Sequence, residues 1–438
     1  MTEIQIGLLS VVLILVLIYS GLYIPVALGL VSFVGVWMLR GDIDVPISLL
    51  SLAAADSIAE PTFAVVPLFA LMGLLISHAG VGRDIYEVSN YIFRRLRGGL
   101  GIATVAANAI FASITGSSIA SASVFTKVSI PEMKRFGYTP RFTVGVVAGS
   151  SVLGMLIPPS VMLILYAIIT EQSVGHMFIA GVIPGILLSV AFGVAILSMA
   201  TFFPKMVMKS GSEKVEEQGQ SLNGLQILRM VFPIVLLVGI VLGGIYTGWF
   251  TATEAGAAGA VGALIVAVAK RRLTFKGFWK VLIETGHITA SILLLLIAAS
   301  MYSRMLGIAG LPTTFSEWIQ HQEFGFVGIM IIYVILLVLM GTILDTVSII
   351  LIIVPLFLPI LTPLDIHLVW FGIVTVIGAE IGLLTPPLGV SCFVIHSSLN
   401  DPEIKLSDVF IGAFPFALIM LAVLILIISF PSLSLVFL

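Results

Sequence analysis

Gly154-Met155-Leu156-Ile157-Pro158-Pro159-Ser160 lies deep inside an apolar run, where a proline pair belongs only if the helix is meant to break. Each Pro lacks an N–H, so the carbonyls four residues earlier, on Gly154 and Met155, lose their helical partners. In hydrocarbon an unsatisfied backbone group costs several kcal/mol, so such a break is tolerable only against protein, a watery cavity or a ligand. Gly382-Leu383-Leu384-Thr385-Pro386-Pro387-Leu388 repeats the device 228 positions later and frees the carbonyls of Gly382 and Leu383. Two broken helices at corresponding places in two halves are the sequence mark of a secondary transporter's binding site.

The composition agrees with a membrane location. Of 438 residues, 59% are hydrophobic and 10% charged, against about 25% charged in a soluble chain. Barrel strands alternate polar and apolar residues, whereas these segments are continuously apolar, so the expected class is an all-α polytopic membrane protein. A single cysteine, Cys392, excludes an intramolecular disulfide and a thiolate metal cluster. The first 20 residues carry neither a basic n-region nor a small-residue cleavage site and read as a retained span. There is no Walker A stretch, His-Glu-x-x-His or dinucleotide glycine pattern. ATP hydrolysis, an organic cofactor and a nucleic-acid partner are therefore not expected.

A span needs about 20 apolar residues. Candidates run over 4–20, 22–39 and 62–79, with a charged connector at 40–60 holding a short amphipathic piece. Residues 82–97 are too polar to span and read as an interfacial helix, and Arg94, Arg95 and Arg97 place it on the cytoplasmic side. An apolar unit at 98–131, interrupted at Thr115-Gly116-Ser117-Ser118 and followed by Lys134 and Arg135, enters and leaves on one face. Its small polar centre favours a re-entrant hairpin with the tip buried in protein. The broken helix at 141–157 and 160–170 follows, then a span at 177–203.

The second half repeats this order, with spans near 230–248, 252–269 and 281–303 and an acidic arm at 305–323 with Glu317, His321 and Glu323. A hairpin at 325–360, a broken helix at 367–384 and 388–397, and a last span at 408–430 complete it. Gly21, Gly29 and Gly35 fall 227 positions before Gly248, Gly256 and Gly262, and Gly116 falls 225 before Gly341. Five crossings and one hairpin per half turn the second half upside down, which predicts an inverted repeat with both termini outside. The first repeat is expected at 1–204, a cytoplasmic linker at 205–226 and the second repeat at 227–438. The 398–407 stretch fits the charge rule poorly, since Asp401, Glu403 and Asp408 outnumber Lys405 around it.

The four interruptions gather oxygen ligands. Hydroxyls and backbone carbonyls are hard donors that suit alkali cations, and half-helix N-termini suit anionic substrate groups. The expected Na⁺ ligands are Thr115, Gly116, Ser118, Gly154 and Met155 in the first half, and Gly341, Asp345, Gly382, Leu383 and Thr385 in the second. The expected substrate contacts are Ser117, Ser118, Ser121, Ser160, Thr342 and Thr385. Two related cation sites then flank one anion site. Small residues from Gly116 to Ser123 also serve close helix packing. Glu380 could instead pair with a neighbouring helix, Glu254 reads as interfacial or structural, Lys127 as snorkelling, and Arg304 as an outside anchor or subunit contact.

These strings carry a family resemblance. Gly116-Ser117-Ser118-Ile119-Ala120-Ser121-Ala122-Ser123, Ile130-Pro131-Glu132-Met133-Lys134-Arg135-Phe136-Gly137-Tyr138 and Gly154-x-x-x-Pro158-Pro159-Ser160 lead into Phe178-x-Ala180-Gly181-x-x-Pro184-Gly185. Together with Gly341-Thr342-x-x-Asp345 and Leu384-Thr385-Pro386-Pro387-Leu388-Gly389, they resemble the large membrane subunit of a TRAP (tripartite ATP-independent periplasmic) transporter over essentially the full length. The resemblance implies a Na⁺-coupled secondary importer of organic anions, carboxylates or sulfonates, in the bacterial inner membrane. It implies two partners, a small four-helix membrane subunit and a periplasmic substrate-binding protein. It also implies an elevator fold in which a transport domain, about 98–175 and 325–400, slides against a scaffold made of the remaining spans. Residue 1 leads directly into the first span, so the small subunit is expected to be encoded separately.

The rival readings are an anion channel, a partner-independent single-chain anion/Na⁺ symporter and the membrane subunit of an ATP-driven importer. The paired Ser-Asn-Thr tips of single-chain symporters and a Glu-Ala-Ala coupling loop are both missing. No Arg stands at an obvious midplane position to fix carboxylate geometry, which leaves the identity of the anion open.

Overall fold

Proline stops a helix at a few places in this chain, and the two halves differ at one of them, Pro61. The computed structural model describes residues 2–209, 222–321, 325–361, 364–399 and 401–438. Positions 210–221 of the expected linker, and Glu323 of the acidic arm, lie outside the described residues. The first half holds α1 (Glu3–Tyr19), α2 (Ile24–Arg40), α3 (Asp44–Ala59), α4 (Val65–His78), α5 (Val81–Phe93), α6 (Gly99–Thr115) and α7 (Ser118–Arg135). It continues with α8 (Pro140–Ser151), α9 (Leu153–Leu156), α10 (Val161–Ile169), α11 (Val174–Phe202) and α12 (Pro204–Val207). The second half holds α13 (Gly224–Tyr246), α14 (Ala252–Ala269), α15 (Phe275–Ile308), α16 (Leu311–His321), α17 (Phe326–Gly341) and α18 (Thr346–Leu361). It ends with α19 (Leu368–Gly382), α20 (Val390–Leu399), α21 (Leu406–Ser429) and α22 (Ser432–Leu435). The described residues are thus all-helical, apart from one isolated bridge between Tyr138 and Met208.

The charged 40–60 stretch, expected to be mostly connector, forms the full helix α3. Pro61 then ends it: the residue before a proline is pushed to extended backbone, and Glu60 sits at φ −69°, ψ 109°. The Glu60 carboxylate accepts the Thr62 N–H at 3.1 Å and caps the 3₁₀ turn that leads into α4. The second half has no proline at the matching place. There α15 runs unbroken for 34 residues, roughly 50 Å at 1.5 Å per residue.

Among the described residues six helices are long and apolar enough to cross a bilayer: Pro61–His78, α11, α13, α14, α15 and α21. The pair α8–α9 and α10 acts as a seventh, bent by 42° across residues 157–160. At 17 residues each, α1 and α2 stand at the short limit for a span. This is a multi-pass membrane protein.

Two packing groups result. In one, α4 lies on α14, α15 on α2 and α4, and α13 on α14. In the other, α8 lies on α21, α7 on α8 and α20, α17 on α19, and α11 on α6, α19 and α21. Glycine permits the closest of these crossings, since Gly145 of α8 and Gly412 of α21 touch backbone to backbone, the close approach that small residues allow in membranes.

Ion pairs stitch the halves together. Arg141 Nε donates to Asp408 at 2.7 Å, Arg304 to Asp56 at 2.6 Å, Lys134 pairs with Asp401, and Lys270 with Asp84. Apart from the local Arg83–Glu87 pair, every ion pair among the described residues joins the first half to the second. The acidic 401–408 stretch therefore shares a face with Lys134 and Arg141, and Arg304 finds its partner within the chain.

Candidate functional site

Each hairpin tip packs into the helix break of its own half. At the first tip Gly116 ends α6 at φ +57°, and its N–H bonds the Ala112 carbonyl at 3.0 Å. Ser117 caps α7 by accepting the Ala120 N–H at 3.3 Å. A Cβ on Gly116 would lie 2.7 Å from the Pro159 carbonyl, and one on Gly154 would lie 2.7 Å from the Ser117 carbonyl. Tip and break therefore fit only because both positions lack a side chain.

The second tip also meets the break of its own half, but at the end of α19 rather than at the proline pair. A Cβ on Gly341 would lie 2.7 Å from the Ala379 carbonyl, and the Leu388 N–H donates to the Thr342 carbonyl at 3.2 Å. The peptides Pro158–Pro159 and Pro386–Pro387 are both cis. A further pair recurs in register: Asn108 Nδ2 donates to Ser150 Oγ at 2.6 Å, and Tyr333 Oη meets Thr375 Oγ1 at 2.7 Å, each across 42 positions.

Two of the four carbonyls expected to be bare, those of Met155 and Gly382, are not. Ser160 Oγ donates to the Met155 carbonyl, while its oxygen accepts the Leu163 N–H at 3.4 Å as the cap of α10. Thr385 donates to the Gly382 carbonyl through both its N–H, at 3.0 Å, and its Oγ1, at 2.8 Å. A hydroxyl at each break thus covers a carbonyl of the helix before it. A carbonyl oxygen has two lone pairs, so the capped Met155 group keeps one that can meet a cation.

Asp345 likewise works locally. Its Oδ2 accepts from the Val347 and Ser348 N–H groups at 3.1 and 3.4 Å, and its Oδ1 from Ser348 Oγ at 2.5 Å, so it caps α18. It also borders a cavity of about 570 Å³ whose other walls include Ile18, Tyr23, Ser291 and Leu295. That cavity lies between the second tip and the α1–α2–α15 group, and a carboxylate at its edge favours a cation there over a bare anion.

Four fully buried hydroxyls, Ser118, Ser121 and Thr126 on α7 and Ser391 on α20, lack a hydrogen-bond partner among the described residues. Helices α7 and α20 pack on one another, and α10 packs on α18. Each half-helix past a break therefore crosses to the hairpin of the other half, and the four interruptions form one unit. An unsatisfied buried hydroxyl costs about 1–3 kcal/mol, a cost that a bound ion or anion removes. Ser118 and Ser121 were expected here from the sequence. Thr126, Ser391 and Asn108 were not, and their only signal is an isolated polar residue in an apolar helix. Thr115 Oγ1 and Thr342 Oγ1 bond carbonyls of their own helices at 3.0 and 2.8 Å, leaving their oxygens as acceptors. Leu383 is buried beside the second break. Lys127 is exposed, as snorkelling requires, and Glu254 forms a capping box with Thr251.

Residues 11–433 match the family described as "Tripartite ATP-independent periplasmic transporter, DctM component". The chain is 35% identical to the C4-dicarboxylate TRAP transporter large permease protein DctM of Pseudomonas aeruginosa, over 85% of each chain. It is 30% identical to the protein of the same description from Rhodobacter capsulatus, over 97% of this chain and 96% of the relative. Its fold is similar to that of the Alcanivorax borkumensis YdaH transporter, with a TM-score of 0.60 and 13% identity over 88% of each chain.

Proposed function

Because the chain belongs to the DctM family, the large permease component of tripartite ATP-independent periplasmic transporters, we propose that it carries a small organic anion into the cell together with Na⁺, by an elevator movement. The observation that carries this reading is the paired tip-against-break contact, Gly116 with Pro159 and Gly341 with Ala379, beside buried hydroxyls that have no hydrogen-bond partner among the described residues. Cations held by carbonyl and hydroxyl oxygens next to an anion cancel charge that must cross hydrocarbon. A bare charge at the bilayer centre costs at least about 2.5–3.5 kcal/mol.

The inverted repeat is supported by matched elements about 230 positions apart, α5 with α16, α6–α7 with α17–α18, and α3–α4 with α15. It is further supported by the Asn108–Ser150 and Tyr333–Thr375 bonds. Cytoplasmic placement of the 401–408 stretch is supported by its pairing with Lys134 and Arg141, which leaves both termini periplasmic. We draw the moving body wider than the hairpins and breaks. It takes in α11 and α21, because these pack on α6, α8 and α19, while α1–α4 with α13–α15 form the scaffold.

The partners are a small membrane subunit and a periplasmic binding protein that delivers the anion, and C4-dicarboxylates, named for the two relatives above, are the first substrates to try. The test is uptake into proteoliposomes holding this chain and the small subunit, with and without the binding protein. Uptake is expected to need both an inward Na⁺ gradient and the binding protein. Equal uptake after the gradient is collapsed overturns the Na⁺-coupled reading.

A further inference from the structure

Glu380 sits two residues before Gly382, in the last turn of α19, and is 1% exposed. Its Oε1 accepts from Thr346 Oγ1 at 2.7 Å, and its Oε2 is buried with no hydrogen-bond partner. Among the described residues no Lys, Arg or His forms an ion pair with it. That is a poor place for an unaccompanied carboxylate. The C-terminal end of a helix carries the negative pole of its macrodipole, about half a unit charge. A buried charge without a partner is penalised further by the loss of water.

A proton or a cation beside Oε2 answers both problems, and the oxygen-rich surroundings suit a cation. The second tip closes over this turn, with Gly341 against the Ala379 carbonyl and the Gly382 backbone. Thr346, which holds the other carboxylate oxygen, opens α18 just past the tip. The first half has no such group. The 225-position register of Asn108 with Tyr333 and Ser150 with Thr375 puts Met155 opposite Glu380, the 228-position register of the proline pairs puts Val152 there, and neither carries a charge.

We infer that Glu380 supplies a full negative charge to the cation site of the second half, whereas the corresponding site of the first half is built from neutral oxygens. The inference rests on the Na⁺-coupled reading above and adds an asymmetry to it. The charged site takes Na⁺ with no substrate present, and the neutral site fills only when the anion arrives.

The experiment reads thermal stabilisation of the full chain purified in detergent, without substrate, as Na⁺ replaces choline at constant ionic strength. The wild type is expected to gain stability with Na⁺. Glu380→Gln keeps the acceptor for Thr346 and removes the charge, so the half-saturating Na⁺ concentration should rise at least about tenfold while the melting temperature in choline does not fall. An unmoved Na⁺ dependence, with or without a lower melting temperature, means that Glu380 is structural or holds a proton instead, and it overturns the inference while leaving Na⁺ coupling intact. A wild type with no response to Na⁺ instead removes the Na⁺-coupled reading itself. If Glu380→Gln does not fold, Glu380→Asp decides, because retracting the charge by one carbon should raise half-saturating Na⁺ about threefold or more, and an unchanged value overturns the inference.

Discussion

Gly341 and Gly382 meet backbone to backbone, so that a Cβ on Gly341 would fall 2.8 Å from the Gly382 Cα. No side chain fits such a gap. Gly341→Ala is therefore expected to push the tip off the break, destabilise the protein by about 1–3 kcal/mol as overpacking does, and cut uptake far more than it lowers expression. Melting temperature and proteoliposome uptake on the same preparation check this. Undiminished uptake in the alanine variant would mean that the contact plays no part in transport.

Asp345 has two separable jobs, capping α18 and presenting charge to the cavity beside Ser291. Asp345→Asn keeps a capping oxygen and loses the charge, while Asp345→Ala loses both. The alanine variant should be less stable than the asparagine variant by about 0.5–2 kcal/mol, the worth of an N-cap. Both should weaken Na⁺ dependence, as should Ser118→Ala. Na⁺ titrations of uptake that match the wild type in all three variants would remove Asp345 and Ser118 from the cation sites.

The elevator reading makes the cavity between the two packing groups a moving gap. Ser291 on α15 and Ser348 on α18 both border it. In a Cys392→Ala background, Ser291→Cys with Ser348→Cys, bridged by a bifunctional thiol reagent, is expected to stop uptake, and reducing a cleavable bridge should restore it. Each single cysteine carrying the same reagent serves as the control. Transport that continues through a bridged pair is incompatible with sliding at this surface.

The pairing of Lys134 with Asp401 carries a pH signature. The Lys134 ammonium, and then the Glu403 N–H, hold the Asp401 carboxyl below the usual carboxylate range. Because the folded value is the lower one, the contribution is present above the ordinary aspartate pKa of about 3.9 and is lost as pH falls through the folded value. Asp401→Asn should therefore lower the melting temperature by a constant amount between about pH 5 and 8, and the difference from wild type should close below about pH 4. A difference that persists in acid would assign the effect to packing.

The interruptions were legible in the sequence because proline pairs and small polar clusters act as punctuation in an apolar chain. Gly116, Gly154, Gly341 and Gly382 were named from that punctuation, and the structure brings each tip to the break of its own half. The packing was less legible. Helices such as α11 and α21 are apolar nearly all round, so no face in the sequence says which neighbours they meet. The charged connector at 40–60 concealed α3, since Asp44, Asp56 and Glu60 suggest a loop although the backbone stays helical as far as Ala59. Capping of the Met155 and Gly382 carbonyls by Ser160 and Thr385 follows from local hydroxyl chemistry, which a search for cation ligands passes over.

Asp84 gives the stitching of the halves a consequence for biosynthesis. It is 6% exposed, and its partners Lys270 and Arg272 lie in the other half, Lys270 at a distance of 186 residues along the chain. At about 5–20 residues per second, a ribosome needs roughly 10–40 s to make that intervening stretch. For that interval Asp84 lacks both of its basic partners. The seating of α5 is therefore completed late, only when the second half delivers Lys270 and Arg272 to Asp84.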